Sequence, residues 1–188
     1  MREAPPKINQ RPPISKEEMD RHLQQYREHR VELIFAAMRS RDKLTESHRD
    51  FYVGCALMTS DPSRAEDPYP IYLGGNHTPE PAERKGWQKP CAERRTVKAA
   101  LDQHTGLIIA FVTVSEKTST GDEEGKHDAL HPCKECRKMF RELLAKNLLR
   151  PDSIVCNVND KDVDTGGELK IEERTVQQLL DLYPDDPQ

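Results

Sequence analysis

Three cysteines and one glutamate in this chain are spaced for metal chemistry. Cys91 and Glu93 stand two residues apart in KPCAERRTVKAAL (89–101), and Cys133 and Cys136 stand three apart in HPCKECRKMF (131–140). Both stretches read as helix starts, with Pro90 and Pro132 immediately before Cys91 and Cys133. A helix N-terminus offers unpaired N–H groups and the positive end of the helix dipole, which favour thiolate over thiol. Residues three apart share one helix face, so Cys133 and Cys136 can converge on one atom. Loops at the carboxyl edges of neighbouring strands also converge, which can bring Cys91 to the same point. Three thiolates suit Zn²⁺ and leave a fourth coordination position open. Glu93 is close enough to stand beside the metal without binding it. A carboxylate there can take a proton from zinc-activated water and deliver it elsewhere. Loss of an amine from an amidine-like ring carbon needs both halves: water must add, and the departing nitrogen must be protonated.

Other uses of these cysteines make different demands. A structural zinc site needs a fourth ligand, for which Cys55, Cys156, His127 and His131 are the candidates. Cys55 and Cys156 fall inside strand patterns, where a small buried thiol is the ordinary reading. A redox CxxC fits poorly, with the charged pair Lys134 and Glu135 between the cysteines and no neighbouring Trp.

Those residues must be positioned by a framework, and the chain has the length for one. At 188 residues, 35% of them hydrophobic and 33% charged, a single domain over 15–188 is expected, with 1–14 (MREAPPKINQRPPI) as a disordered Pro-rich segment. A net charge of −4 argues against a protein built to grip nucleic acid, although the stretch from His131 to Pro151 is locally basic. An odd cysteine count without an apolar leader suggests a reducing, cytoplasmic setting, and no stretch reads as a membrane span.

Ser15 and Glu18 form a capping box for a helix running through about Arg39. FYVGCALMTS (51–60) is a strand, apolar enough to be covered on both faces, and IYLGGN (71–76) is a second. A helix over 92–104 follows, then LIIAFVTVS (107–115), long and β-branched, as the third strand. The pattern predicts a helix over 133–149, strands over 153–159 and 167–174, and a last short helix, TVQQLLDLY. Strands alternating with helices imply an α/β layered domain with parallel segments in its sheet.

CAER followed by PCxxCR resembles the zinc-dependent cytidine deaminase family, in its free-nucleoside branch because the first ligand position is Cys. SHRDFYVGCALMTSD is similar to that family's first strand, IYLGGN to the strand ending in its sugar-binding asparagine, and TVQQLLDLYP to its closing helix, so the resemblance covers residues 30–185. It implies a three-layer α/β/α sandwich around a mixed five-stranded sheet. It also implies one Zn²⁺ per chain on Cys91, Cys133 and Cys136, with Glu93 as proton shuttle and Arg94 hydrogen-bonding the thiolates. Phe51 would pack on the base, Asn76 would bind sugar hydroxyls, and the backbone of Ala92 would meet the pyrimidine edge. The implied activity is hydrolytic deamination of cytidine or deoxycytidine in pyrimidine salvage, by a homotetramer in which Tyr183 reaches a neighbour's base. The departures lie around the substrate pocket. Thr78 stands where the family has a glutamate, with Glu80 the candidate replacement. The loops 77–90, which carries Trp87, and 116–131 are long, and His131 replaces a small residue.

Overall fold

The computed structural model describes residues 12–44, 52–76, 91–103, 106–116 and 127–184. Phe51, Thr78, Glu80, Trp87 and residues 1–11 of the N-terminal segment lie outside them. The element order is α1 (Lys16–Asp42), β1 (Val53–Ser60), β2 (Ile71–Gly75), α2 (Ala92–Asp102), β3 (Leu107–Ser115), α3 (Lys134–Ala145), β4 (Leu149–Asn159), β5 (Lys170–Thr175) and α4 (Val176–Asp181). One five-stranded sheet forms in the order β2-β1-β3-β4-β5. β3 and β4 run parallel and every other neighbouring pair is antiparallel, so the sheet is mixed.

Two apolar layers sandwich this sheet. Ala56, Met58, Ala110, Val112, Val114, Cys156 and Val158 meet Tyr26, Leu33, Ile34 and Ala37 of α1 on one face. Val53, Cys55, Leu57, Phe111 and Val155 meet α2, α3 and α4 on the other. The expectation that β1 is covered on both faces holds, since all eight of its residues are buried, as are all nine of β3. Two glycines set how closely the helices approach. A Cβ at Gly54 would lie 2.0 Å from the Ala37 carbonyl oxygen, and one at Gly74 would lie 2.2 Å from Thr96 Oγ1. α1 and α2 therefore rest directly on strand backbone, which only glycine allows.

Several boundaries differ from the sequence pattern. α1 continues to Asp42, with Arg41 clasping both carboxylate oxygens of Asp160 at the end of β4. α3 stops at Ala145, short of the expected 149. Asn147 takes a left-handed φ of 56°, and Leu148 N–H donates to the Leu143 carbonyl, which closes the helix end as a Schellman-type turn. The two leucines after it are buried in the core, and β4 begins at Leu149 instead of 153. Pro151 is tolerated because it sits where the β3–β4 register shifts, and Ser153 spans the irregularity by donating to the Ile108 carbonyl and accepting from Arg150 N–H. β5 begins at Lys170, not 167. Among the described residues no helix is long and apolar enough to cross a membrane.

Candidate metal centre

Cys91 and Cys133 are the N-cap residues of α2 and α3, both in extended backbone, and neither side chain caps its own helix. Their thiols are therefore turned to other partners. Cys133 Sγ lies 3.6 Å from Cys91 Sγ and 3.5 Å from Cys136 Sγ, and all three sulfurs lie within 4.8 Å of one another. Cys136 is buried, whereas Cys91 and Cys133 are partly exposed, so the cluster is closed beneath and open on one side. Sulfurs bound at 2.3 Å to a tetrahedral zinc lie about 3.8 Å apart, so the spacing fits a thiolate-bound metal. The helix starts by themselves do not lower the Cys91 and Cys136 thiols. Sharing protons with Cys133 is the largest influence holding the Cys91 and Cys136 thiols up, with burial behind it, and a dication would supply the charge that stabilises thiolates instead.

Among the described residues, the group has three members and no fourth donor. Cys55 and Cys156 are buried within β1 and β4, as their strand patterns suggested. His127 and His131 group instead with Glu172.

Glu93 lies in the first turn of α2 and is 7% exposed. Burial, reinforced by charge on Cys133, pushes its carboxyl up to about 7. Arg94, also buried, donates from Nη2 to the Glu135 carbonyl at 2.9 Å and lies 3.6 Å from the Glu135 carboxylate. Because Glu135 stands between Cys133 and Cys136, this contact ties the two helix starts together. Ala92 is buried, and its carbonyl accepts the Thr96 hydroxyl at 2.7 Å.

Asn76 directly follows β2 and clasps Val53 twice. Its N–H donates to the Val53 carbonyl at 3.1 Å, and its Oδ1 accepts from Val53 N–H at 2.8 Å. The second bond fixes which amide atom is oxygen. Arg95 donates to the Gly75 carbonyl at 2.7 Å, binding the same strand end to α2.

Tyr183 is engaged within its own chain. Its hydroxyl lies 2.9 Å from His131 Nδ1 and 3.3 Å from His127 Nε2, and the Arg137 guanidinium lies 3.6 Å above its ring. This belongs to a polar network that the sequence pattern did not reveal. His131 Nε2 lies 2.7 Å from Glu172 Oε2, and Glu172 also accepts from Arg174 and from Asp128 N–H. Burial would raise Glu172, but the hydrogen bonds from His131, Arg174 and Asp128 outweigh it and hold the carboxyl down at about 2. Burial also lowers His131, against the opposing pull of Glu172. One signal was present: strand alternation in KIEER puts Glu172 and Arg174 on one face.

The three-layer fold with its mixed sheet is the cytidine deaminase-like fold. The chain is similar to the crystal structure of cytidine deaminase from Burkholderia pseudomallei, with a TM-score of 0.53 and 22% identity over 79% of this chain and 94% of that one. It is similar also to a mutant cytidine deaminase from Mycobacterium tuberculosis, with a TM-score of 0.51 and 20% identity over 84% of this chain and 94% of that one. No family model and no curated protein matches the chain.

Proposed function

We propose that this protein is a zinc-dependent hydrolytic deaminase of cytidine, deoxycytidine or a related aminopyrimidine nucleoside, yielding the uracil form and ammonia. The observation that carries it is the convergence of Cys91, Cys133 and Cys136 beside the buried carboxyl of Glu93. Zinc held by the three cysteines would supply Lewis acidity toward water. The chain's own contribution is proton management. Water adds at the amine-bearing ring carbon, the C–N bond breaks, and ammonia leaves; Glu93 takes the proton water gives up and returns it to the substrate side. Arg94 offsets the negative charge that three thiolates place on a single dication. Asn76, fixed by Val53, and Phe51 are the proposed holds on sugar and base, with Glu80 in place of the glutamate absent at Thr78 and the backbone of Ala92 at the pyrimidine edge. Similarity to cytidine deaminases supports the substrate class; the homotetrameric assembly is what the sequence resemblance over residues 30–185 implies.

The deciding experiment follows ultraviolet absorbance of the zinc-loaded protein with a panel of nucleosides, nucleotides and single-stranded oligonucleotides. Loss of the cytosine band with cytidine or deoxycytidine is expected. No change with any free nucleoside would refute the substrate class.

A further inference from the structure

The segment leading into Cys133 is held from two directions. Arg137, one turn into α3, donates to the Pro132 carbonyl at 2.7 Å. His131, just before Pro132, is gripped by Glu172 of β5 and by Tyr183 after α4. The proton positions follow from chemistry. A carboxylate only accepts, so His131 Nε2 carries the proton and donates to Glu172; in the neutral ring Nδ1 then accepts from the Tyr183 hydroxyl. Tyr183 oxygen in turn lies within reach of His127 Nε2. The Tyr183–His131 and His131–Glu172 bonds point the same way, so they polarise and strengthen one another.

His127, His131 and Glu172 bring three donor atoms within 4.8 Å of one another, a donor set of the kind that can hold a metal. Two features oppose that use. The Arg174 guanidinium already sits on Glu172 Oε2 and 3.3 Å from His131 Nε2. The two imidazoles are stacked, with centroids 3.7 Å apart and planes 20° apart, so their in-plane lone pairs run side by side instead of converging.

We propose that His131 is a positioning residue for the metal centre, through which Glu172 and Tyr183 hold Pro132 and Cys133 in place, so that metal affinity at the three cysteines depends on the C-terminal segment. This rests on the reading of Cys91, Cys133 and Cys136 as metal ligands. Pro132 is the only residue between His131 and Cys133, and its ring limits the backbone freedom that could absorb a loosened His131.

The test is cobalt(II) binding to the folded, metal-free full-length chain, followed by thiolate-to-cobalt charge-transfer absorption and quantified by competition with a chelator. Tyr183→Phe, which removes one hydroxyl, and Glu172→Gln are each expected to weaken affinity about tenfold, as outer partners of metal sites do. Combined with His131→Phe, neither should weaken it further, because both act through that ring. Gln177→Ala, on the exposed face of α4, should bind as wild type does. Affinities for Tyr183→Phe and Glu172→Gln within twofold of wild type would overturn the inference, as would losses that persist in the His131→Phe background. If Glu172→Gln fails to fold, Tyr183→Phe decides alone. A wild-type chain that takes up no cobalt would instead refute the metal reading, and this inference with it.

Discussion

Glu93 combines burial with a position beside three sulfurs, and that pairing separates it from the many exposed carboxylates of this acidic chain. Glu93→Gln keeps the shape but cannot carry a proton. The variant is expected to retain metal and melting temperature while kcat falls about 10²–10⁴-fold, measured by steady-state absorbance assays beside elemental analysis. Glu172 offers a separate test, through stability. Its folded-state value of about 2 lies below the ordinary 4.5, so its stabilisation is present above about pH 4.5 and is lost as pH falls toward 2. Urea denaturation of wild type and Glu172→Gln should therefore give a stability gap at pH 6 that narrows steadily at pH 4 and pH 3. A gap independent of pH would mean that the contacts of Glu172 do not depend on its charge.

Among the elements, α1 and β1 show how a missing side chain governs packing. The 2.0 Å separation between a Cβ at Gly54 and the Ala37 carbonyl oxygen leaves no room for even a methyl group. Gly54→Ala must push α1 off the sheet or bend β1, and is expected to cost about 3 kcal/mol in chemical denaturation, the upper end for overpacked cores. Gly166 is a useful contrast. It has a φ of 87° and nothing within 4 Å of its Cβ position, so Gly166→Ala should cost about 1 kcal/mol from backbone strain alone. Comparable costs at the two sites would show that helix–strand approach is not the constraint at Gly54.

For the molecule as a whole, the predictions concern substrate and assembly. A pocket that closes on a sugar should favour cytidine over a cytosine-containing oligonucleotide at equal base concentration, since a buried amide left without its hydroxyl partner costs affinity. Asn76→Ala should impair turnover of the nucleoside. Oligonucleotide turnover exceeding that of cytidine would move the assignment to a polynucleotide deaminase. Light scattering is expected to report four chains per particle; a monomer with full activity would refute the proposed tetramer. Val31 and Phe35 on α1 are 63% and 55% exposed, apolar surface that association can cover.

The most local features were legible from the residues alone. Proline before cysteine, the three-residue spacing of Cys133 and Cys136, and the apolar run of β3 each imply their own structure, because helix caps, helix periodicity and strand burial are short-range matters. The end of α3 was not legible. Asn147 and the two leucines after it fit a continuing helix on pattern, and only the burial of Leu148 and Leu149 in the core turns the chain there. The mutual approach of Cys91 and Cys133, 42 positions apart, was anticipated from strand topology, but the burial and poise of Glu93 needed the packed layers. The network joining His131, Glu172 and Tyr183 lay beyond any sequence pattern. Its members are 41 and 52 positions apart, and their contact depends on β5 pairing with β4 in one register, a choice made by the whole sheet and not by any segment of it.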